Sequence, residues 1–204
     1  QTAITSLEKS ETNFQFRVHL VETNPNLLSQ FGYYAGFVKH ILPNEEFGYN
    51  KFLNIGFKNV ESEYVVIANN DLIFHEGWFT KIYEAMNAHG LDSACPKSPG
   101  WQFHQNYGEG VFLAWGTGHE WCGWCIVIRK NSLEKLLPFP DDLKFWCQDD
   151  FMAYHMQMLG MKHGLVGSSH VKHLVNQSHQ FIPKDKQFEY THGQAGILAK
   201  NVEE

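Results

Sequence analysis

Three acidic groups stand where apolar stretches of the chain break off: Glu22, Asp71 and the adjacent pair Asp149 and Asp150. A carboxylate directly after a buried strand suits a divalent cation, because hard cations such as Mg2+ and Mn2+ take oxygen ligands and bridge phosphate oxygens. Asp71 is the best placed of the three, although Asn69-Asn70-Asp71 is also ordinary turn chemistry. Neighbouring carboxylates raise one another's pKa, so Asp149 and Asp150 offer a base able to deprotonate a hydroxyl. At a helix start the same pair can instead cap free N–H groups, worth about 0.5–2 kcal/mol. Among 12 histidines, His170 and His173 lie beyond that helix, and either is a candidate metal ligand.

These groups need elements to hold them. Phe14, Phe16, Val18 and Leu20 alternate with polar neighbours, predicting a half-buried strand over 13–22 with Glu22 at its carboxyl end. Phe52, Ile55 and Gly56 share one face of a helix over 50–59. The run 64–68 is apolar without alternation, as a strand covered on both sides would be, and leads straight into Asp71. Trp78, Ile82, Ala85 and Met86 mark an amphipathic helix before a short strand over 91–95, giving a βαβ unit. The stretch 96–120 is rich in Gly and aromatics and reads as a loop with strands near 110–115. A strand over 121–129, a short helix over 131–136 and a break at Pro138-Phe139-Pro140 follow. Met152, His155, Met156 and Leu159 repeat with helical spacing from Gln148, Gly160 closes that helix, and 163–166 leads to a last strand or loop.

The alternation of helix and strand patterns predicts an α/β layered domain, and 204 residues with 43% hydrophobic content suffice for one core. A net charge of −6 gives no sequence-wide basic field to gather nucleic acid or an anionic membrane. No run of eighteen apolar residues occurs and residues 1–10 lack the order of a signal peptide, so a cytoplasmic, reducing location without a membrane span is the expectation. Cys95, Cys122, Cys125 and Cys147 are too scattered for a disulfide framework. Cys122 and Cys125 have the spacing of half a zinc site, but on a strand such positions face opposite ways, which favours two buried small hydrophobes. Trp101, Trp115, Trp121 and Trp124 suggest an apolar platform for an acceptor sugar or base, although aromatic residues at this density more often form a core.

Taken in order, the segments resemble family 2 glycosyltransferases of GT-A fold, from about Ile4 to His173. Phe16 to Asn24 resembles that family's second strand, whose terminal Asp pairs with the donor base; Glu22 stands there, followed by Asn24. The helix holding Asn54 and Gly56, then Glu63 to Asp71, resembles an Asn-x-Gly helix and the strand delivering an Asp-x-Asp-like motif. Residues 121–139 are similar to the acceptor-side segment, with Trp121 and Trp124 as acceptor contacts, and Gln148-Asp149-Asp150 resembles the Glu-Asp motif heading a helix. The resemblance implies a three-layer α/β/α nucleotide-diphospho-sugar transferase fold with a mixed, mostly parallel sheet. It divides the chain into a donor half over about 1–96, an acceptor half over about 97–175 and a tail or helix over 176–204.

It further implies that Glu22, Asn24, Asn54, Asn69, Asn70 and Asp71 bind the donor, that Asp71 and His173 hold Mn2+ or Mg2+, and that Asp149 is the base with Asp150 as second candidate. The reaction would pass a sugar, with inversion, from a nucleoside diphosphate, UDP first among them, to a hydroxyl of a glycan, protein or modified nucleobase. A nucleotidyltransferase and a non-catalytic carbohydrate-binding or scaffolding domain are the rivals; the former typically carries a Gly-rich basic loop that is not seen here. Residues 1–10 resemble the helix after the family's first strand, so the chain is expected to lack that strand or to receive it from a partner, leaving a sheet edge and the donor pocket incomplete. The oligomeric state is left open.

Overall fold

The computed structural model describes residues 2–24, 26, 36–58, 60–144, 147–174 and 193–203. Helix α1 (Thr2–Lys9) precedes strands β1 (Val18–Val21) and β2 (Val38–Ile41), then α2 (Tyr49–Phe57), β3 (Tyr64–Ala68), β4 (Leu72–Phe74) and α3 (Trp78–His89). β5 (Ser93–Lys97), β6 (Val111–Phe112), β7 (Cys125–Arg129), α4 (Lys130–Leu133), α5 (Gln148–Met158), β8 (His163–His173) and α6 (Gly193–Glu203) follow. Among the described residues no helix is long and apolar enough to cross a membrane. Of the tail expected over 176–204, residues 193–203 form α6 and 176–192 lie outside the described residues.

β1 and β2 pair in parallel as a small sheet of their own. The larger sheet runs β3-β7-β5-β8-β4, with β6 also on β8. Within it β5–β8 is parallel, while β3–β7, β5–β7, β4–β8 and β6–β8 are antiparallel, so β3, β5 and β8 point one way and β4, β6 and β7 the other. β1 and β2 join the first group: Phe14, just ahead of β1, and Tyr64, opening β3, both pack against Phe79 and Tyr83 of α3. Over the two sheets together the arrangement is thus mixed, with five of the eight described strands pointing the same way.

The core gathers on β5, β7 and β8, whose Ala94, Ile126, Val127, Leu165 and Val171 are buried, under Trp78, Ile82 and Met86 of α3. The helical spacing of those α3 residues is what lets one face be buried continuously. α3 starts at Gly77, which is left-handed at φ 68° and offers no capping side chain. Glu11 supplies the cap from outside: Oε1 accepts the Phe79 and Thr80 amides at 2.5 and 2.9 Å, and Oε2 the Thr80 hydroxyl at 2.7 Å. Glu11→Ala is therefore expected to cost about 1–2 kcal/mol, read as a lower urea midpoint with an unchanged slope.

The elements that hold the charged groups differ from expectation at several points. The first strand begins at Val18 rather than residue 13, and β7 begins at Cys125 rather than 121, because residues 121–124 turn, with the Cys125 amide on the Cys122 carbonyl at 3.1 Å. The strand near 110–115 shrinks to Val111–Phe112, and the last strand extends to His173. β2 and β4 had no counterpart in the sequence reading.

Candidate active site

β4 turns the carboxylate after β3 into part of a site. Its pairing places Leu72 opposite His173, and the Leu174 amide donates to the Asp71 carbonyl at 2.9 Å. Asp71, only 8% exposed, consequently meets His173 with Oδ1 3.4 Å from Nε2. The imidazole is fixed from two sides: it stacks on Trp124 with centroids 5.4 Å apart, and the His173 amide donates to Ser98 Oγ at 3.0 Å. His173 Nδ1 is buried and finds no hydrogen-bond partner among the described residues. The other candidate, His170, is turned away, with Nε2 on the Gly167 carbonyl and its ring against His75.

The chemistry of this pair fits a divalent cation. Ligands at about 2.0–2.2 Å from one ion place their atoms about 3 Å apart, close to what Asp71 and His173 present. Among the described residues no group of three or more His, Cys, Asp or Glu suits a metal. Two protein ligands are what a Mg2+- or Mn2+-type site needs where phosphate oxygens and water complete the shell.

Helix α5 brings in the second set. Its cap Cys147 is left-handed at φ 65°, a conformation uncommon outside Gly, and this turn starts the helix directly at Gln148. Asp149 is packed on Gly123, where an added Cβ would lie 2.5 Å from Oδ2. Its carbonyl accepts the Trp121 indole at 2.9 Å and Oδ1 accepts the Asp150 amide at 3.1 Å. Burial, and then the Asp150 charge, push the Asp149 carboxyl up to about 6. Burial first, then the Asp149 charge, raises the Tyr49 phenol above its ordinary range. Asp150 instead accepts the Thr117 hydroxyl at 3.0 Å, on the exposed side.

A groove of about 1040 Å3 is lined by both ends of this arrangement, including Glu22, Asn69, Asn70, Asp71, His173 and Gln148. Glu22 folds onto its own turn, with Oε1 accepting the Thr23 and Asn24 amides at 2.8 and 3.0 Å. Asn24 is exposed, and its Oδ1 accepts the Asn26 amide at 3.0 Å. Asn54 faces elsewhere: its amide donates to the Phe139 carbonyl and Asp141, and Oδ1 accepts the Phe139 amide, so it latches the loop after α4. Trp121 and Trp124, expected as acceptor contacts, are 0% and 7% exposed; they pack in the core and under His173, and present no open face for stacking. Trp101 and Phe103, the latter 42% exposed, lie nearer the surface, with Trp101 against the His173 ring. Gln148, to which the sequence assigns no role of its own, has its Oε1 buried in the groove wall without a partner among the described residues. The signal for it was its place at the helix start, next to Asp149.

Residues 1–137 match the family model described as Glycosyl transferase family 2. The chain belongs to glycosyl transferase family 2. No curated protein sequence matches it. Among solved structures, GalNAc-T7 in a crystal with UDP, GalNAc and Mn2+ is similar over 84% of this chain and 39% of its own, with a TM-score of 0.68 and 11% identity. TarS 1–349 of S. aureus in complex with UDP is similar over 83% of this chain and 54% of its own, with a TM-score of 0.66 and 16% identity. The same TarS segment without that ligand in its description gives a TM-score of 0.64. The chain thus spans 39% to 54% of the length of these structures, and the fold they share with it is the GT-A fold expected from the sequence.

Proposed function

We propose that this family 2 chain carries the donor-binding and catalytic core of a metal-dependent, inverting glycosyltransferase using a UDP-sugar. The observation that carries the reading is the meeting of Asp71 and His173 at 3.4 Å on the wall of a groove that also holds Glu22 and Gln148. Support from outside the chain comes from neighbours of the same fold crystallised with UDP, one of them also with Mn2+.

Asp71 and His173 would hold the cation, which when bound neutralises charge on the diphosphate of the leaving group. Glu22, at the carboxyl end of β1, accepts hydrogen bonds from a base N–H, and Asn69 and Asn70 bond the ribose or phosphates at the carboxyl end of β3, where ligands gather in open α/β sheets. Asp149 takes the proton from the acceptor hydroxyl as that oxygen attacks the anomeric carbon from the side opposite the phosphate. The carboxyl held near 6 is deprotonated at neutral pH yet basic enough for that transfer. One displacement inverts the anomeric centre. The acceptor is a hydroxyl of a glycan, a protein or a modified nucleobase.

Calorimetric titration with a panel of nucleoside diphosphate sugars, with Mn2+ and with EDTA, tests this. The expected result is Mn2+-dependent binding of a UDP-sugar that weakens roughly 100-fold, about 2.7 kcal/mol, in Asp71→Ala. Donor binding indifferent both to EDTA and to Asp71→Ala would refute it.

A further inference from the structure

A buried polar atom without a partner marks a place where something else has to supply the hydrogen bond, because leaving it unpaired costs its full desolvation. Among the described residues three such atoms fall in one corner: Gln148 Oε1, His173 Nδ1 and Trp124 Nε1. Trp124 lies flat on the His173 ring, with 17° between the planes, and Gln148 shares the groove wall with His173 and Asp71. Where a side-chain amide serves only the fold, the chain satisfies both of its ends. Asn54 donates to the Phe139 carbonyl and accepts the Phe139 amide.

The local backbone puts Gln148 in that corner. The left-handed Cys147 lets α5 begin directly at Gln148, which carries the head of the helix into the groove wall. The next two side chains are held by the protein: Asp149 packs on Gly123 and accepts the Asp150 amide, and Asp150 accepts the Thr117 hydroxyl. Gln148 thus stands next to the candidate base and on the same wall as the candidate cation ligands. On the transferase reading the transferred sugar lies between those two groups.

The three atoms also restrict the chemistry of what completes them. Gln148 Oε1 can only accept a hydrogen bond, and Trp124 Nε1 can only donate one. With His173 Nε2 turned to Asp71, and to a cation when one is bound, Nδ1 carries the ring proton and donates as well. A hydroxyl answers both kinds, since it donates and accepts. A carboxylate answers the donors alone and adds a negative charge beside Asp149 and Asp150, whereas an ammonium answers only the acceptor.

We propose that Gln148 selects the transferred sugar, its Oε1 accepting a hydrogen bond from one ring hydroxyl of a neutral, polyhydroxylated donor sugar. This rests on the transferase reading and adds to it a residue that recognises the sugar rather than the nucleotide. An uncharged amide does so without placing a third carboxylate beside Asp149 and Asp150, and the same arrangement disfavours a uronic acid.

Calorimetric titration in Mn2+ tests this on wild type and on Gln148→Leu, which roughly keeps the volume and removes both polar ends. The probes are UDP, UDP-glucose, UDP-galactose, UDP-N-acetylgalactosamine, UDP-glucuronic acid and the singly ring-deoxygenated analogues of the neutral donor that binds best. In wild type, loss of one particular hydroxyl should weaken binding at least about tenfold; in Gln148→Leu that penalty should fall below about threefold, while UDP itself binds both proteins alike. Exchanging an unpaired buried acceptor for an apolar group of similar shape is neutral or stabilising, so ligand-free Gln148→Leu should melt at or above wild type. The same hydroxyl penalty in both proteins, or none in wild type, would assign Oε1 to ordered water and overturn the proposal while UDP binding leaves the transferase reading standing. A ligand-free variant that melts lower would make Gln148 a structural residue and overturn it too, as would a preference for UDP-glucuronic acid. Failure of wild type to bind UDP in Mn2+ would overturn the transferase reading, and this proposal with it.

Discussion

Asp149→Asn is expected to remove most of the transfer activity and at the same time make the protein more stable at neutral pH. The folded state holds the Asp149 carboxyl at about 6 against an ordinary 3.8, so the native protein binds this proton more tightly than the unfolded chain does. Its contribution to stability is full below the unfolded value of 3.8 and is lost as pH rises through about 6. At 1.36 kcal/mol per decade of proton affinity, the ionised carboxylate costs about 3 kcal/mol above that range. Asn carries no such charge and retains an Oδ1 for the Asp150 amide. Thermal scans should give a variant several degrees more stable at pH 8 and level with wild type near pH 4. Loss of a general base lowers kcat by about 100- to 10,000-fold, and in wild type the rate should climb with pH through about 6. Matching melting curves at pH 8 would show that Asp149 is not a costly buried charge, and an active variant that it is not the base.

The second large effect concerns a residue without a side chain. In Gly123→Ala the new Cβ would lie 2.5 Å from Asp149 Oδ2, 2.6 Å from its Cβ and 2.8 Å from its Cγ, so the head of α5 must move. Overpacking of this kind costs about 1–3 kcal/mol, and a displacement near 1 Å at the reacting group lowers kcat about 100-fold. On the proposed reading donor affinity would rest on Asp71 and His173, carried by other elements, and should change by less than about threefold. Gly108→Ala, whose Cβ meets nothing within 4 Å, should leave both rate and stability at wild-type values. A Gly123→Ala enzyme with normal kcat would separate Asp149 from the chemistry.

Much of the scaffold was legible because its elements are long and periodic: α2, α3, α5 and β3 fall close to where their apolar spacing put them. The short strands were not. Leu72-Ile73-Phe74 follows Asn69-Asn70-Asp71 so closely that a turn reading absorbed it, yet this strand is what carries Asp71 to His173. Val38-Lys39-His40-Ile41 has too few apolar positions to declare itself, and its order comes from Ile4 of α1 packing on Val38. Beyond Val166 the run to His173 could be read only as a last strand or loop, because its order comes from ladders to distant strands, which no local pattern records. Asp71 and His173 could be singled out by type, but their meeting is a fact of register. The tryptophans show the reverse: residue type suggested a surface, and burial of Trp121 and Trp124 decided against it.

The three ladders on β8 also bear on how the molecule comes apart. A strand tied along its length to β5, β6 and then β4 opens only when much of the sheet opens, whereas among the described residues β1 has one partner strand. Local opening follows such differences in tethering. The half of the site that would recognise the base, at Glu22, is therefore the part that frays at low cost, while His173 is anchored through the rest of β8 to the middle of the larger sheet. Mild heat or urea is expected to act on the two halves unequally: order at Glu22 fades while β8 still holds His173 in place.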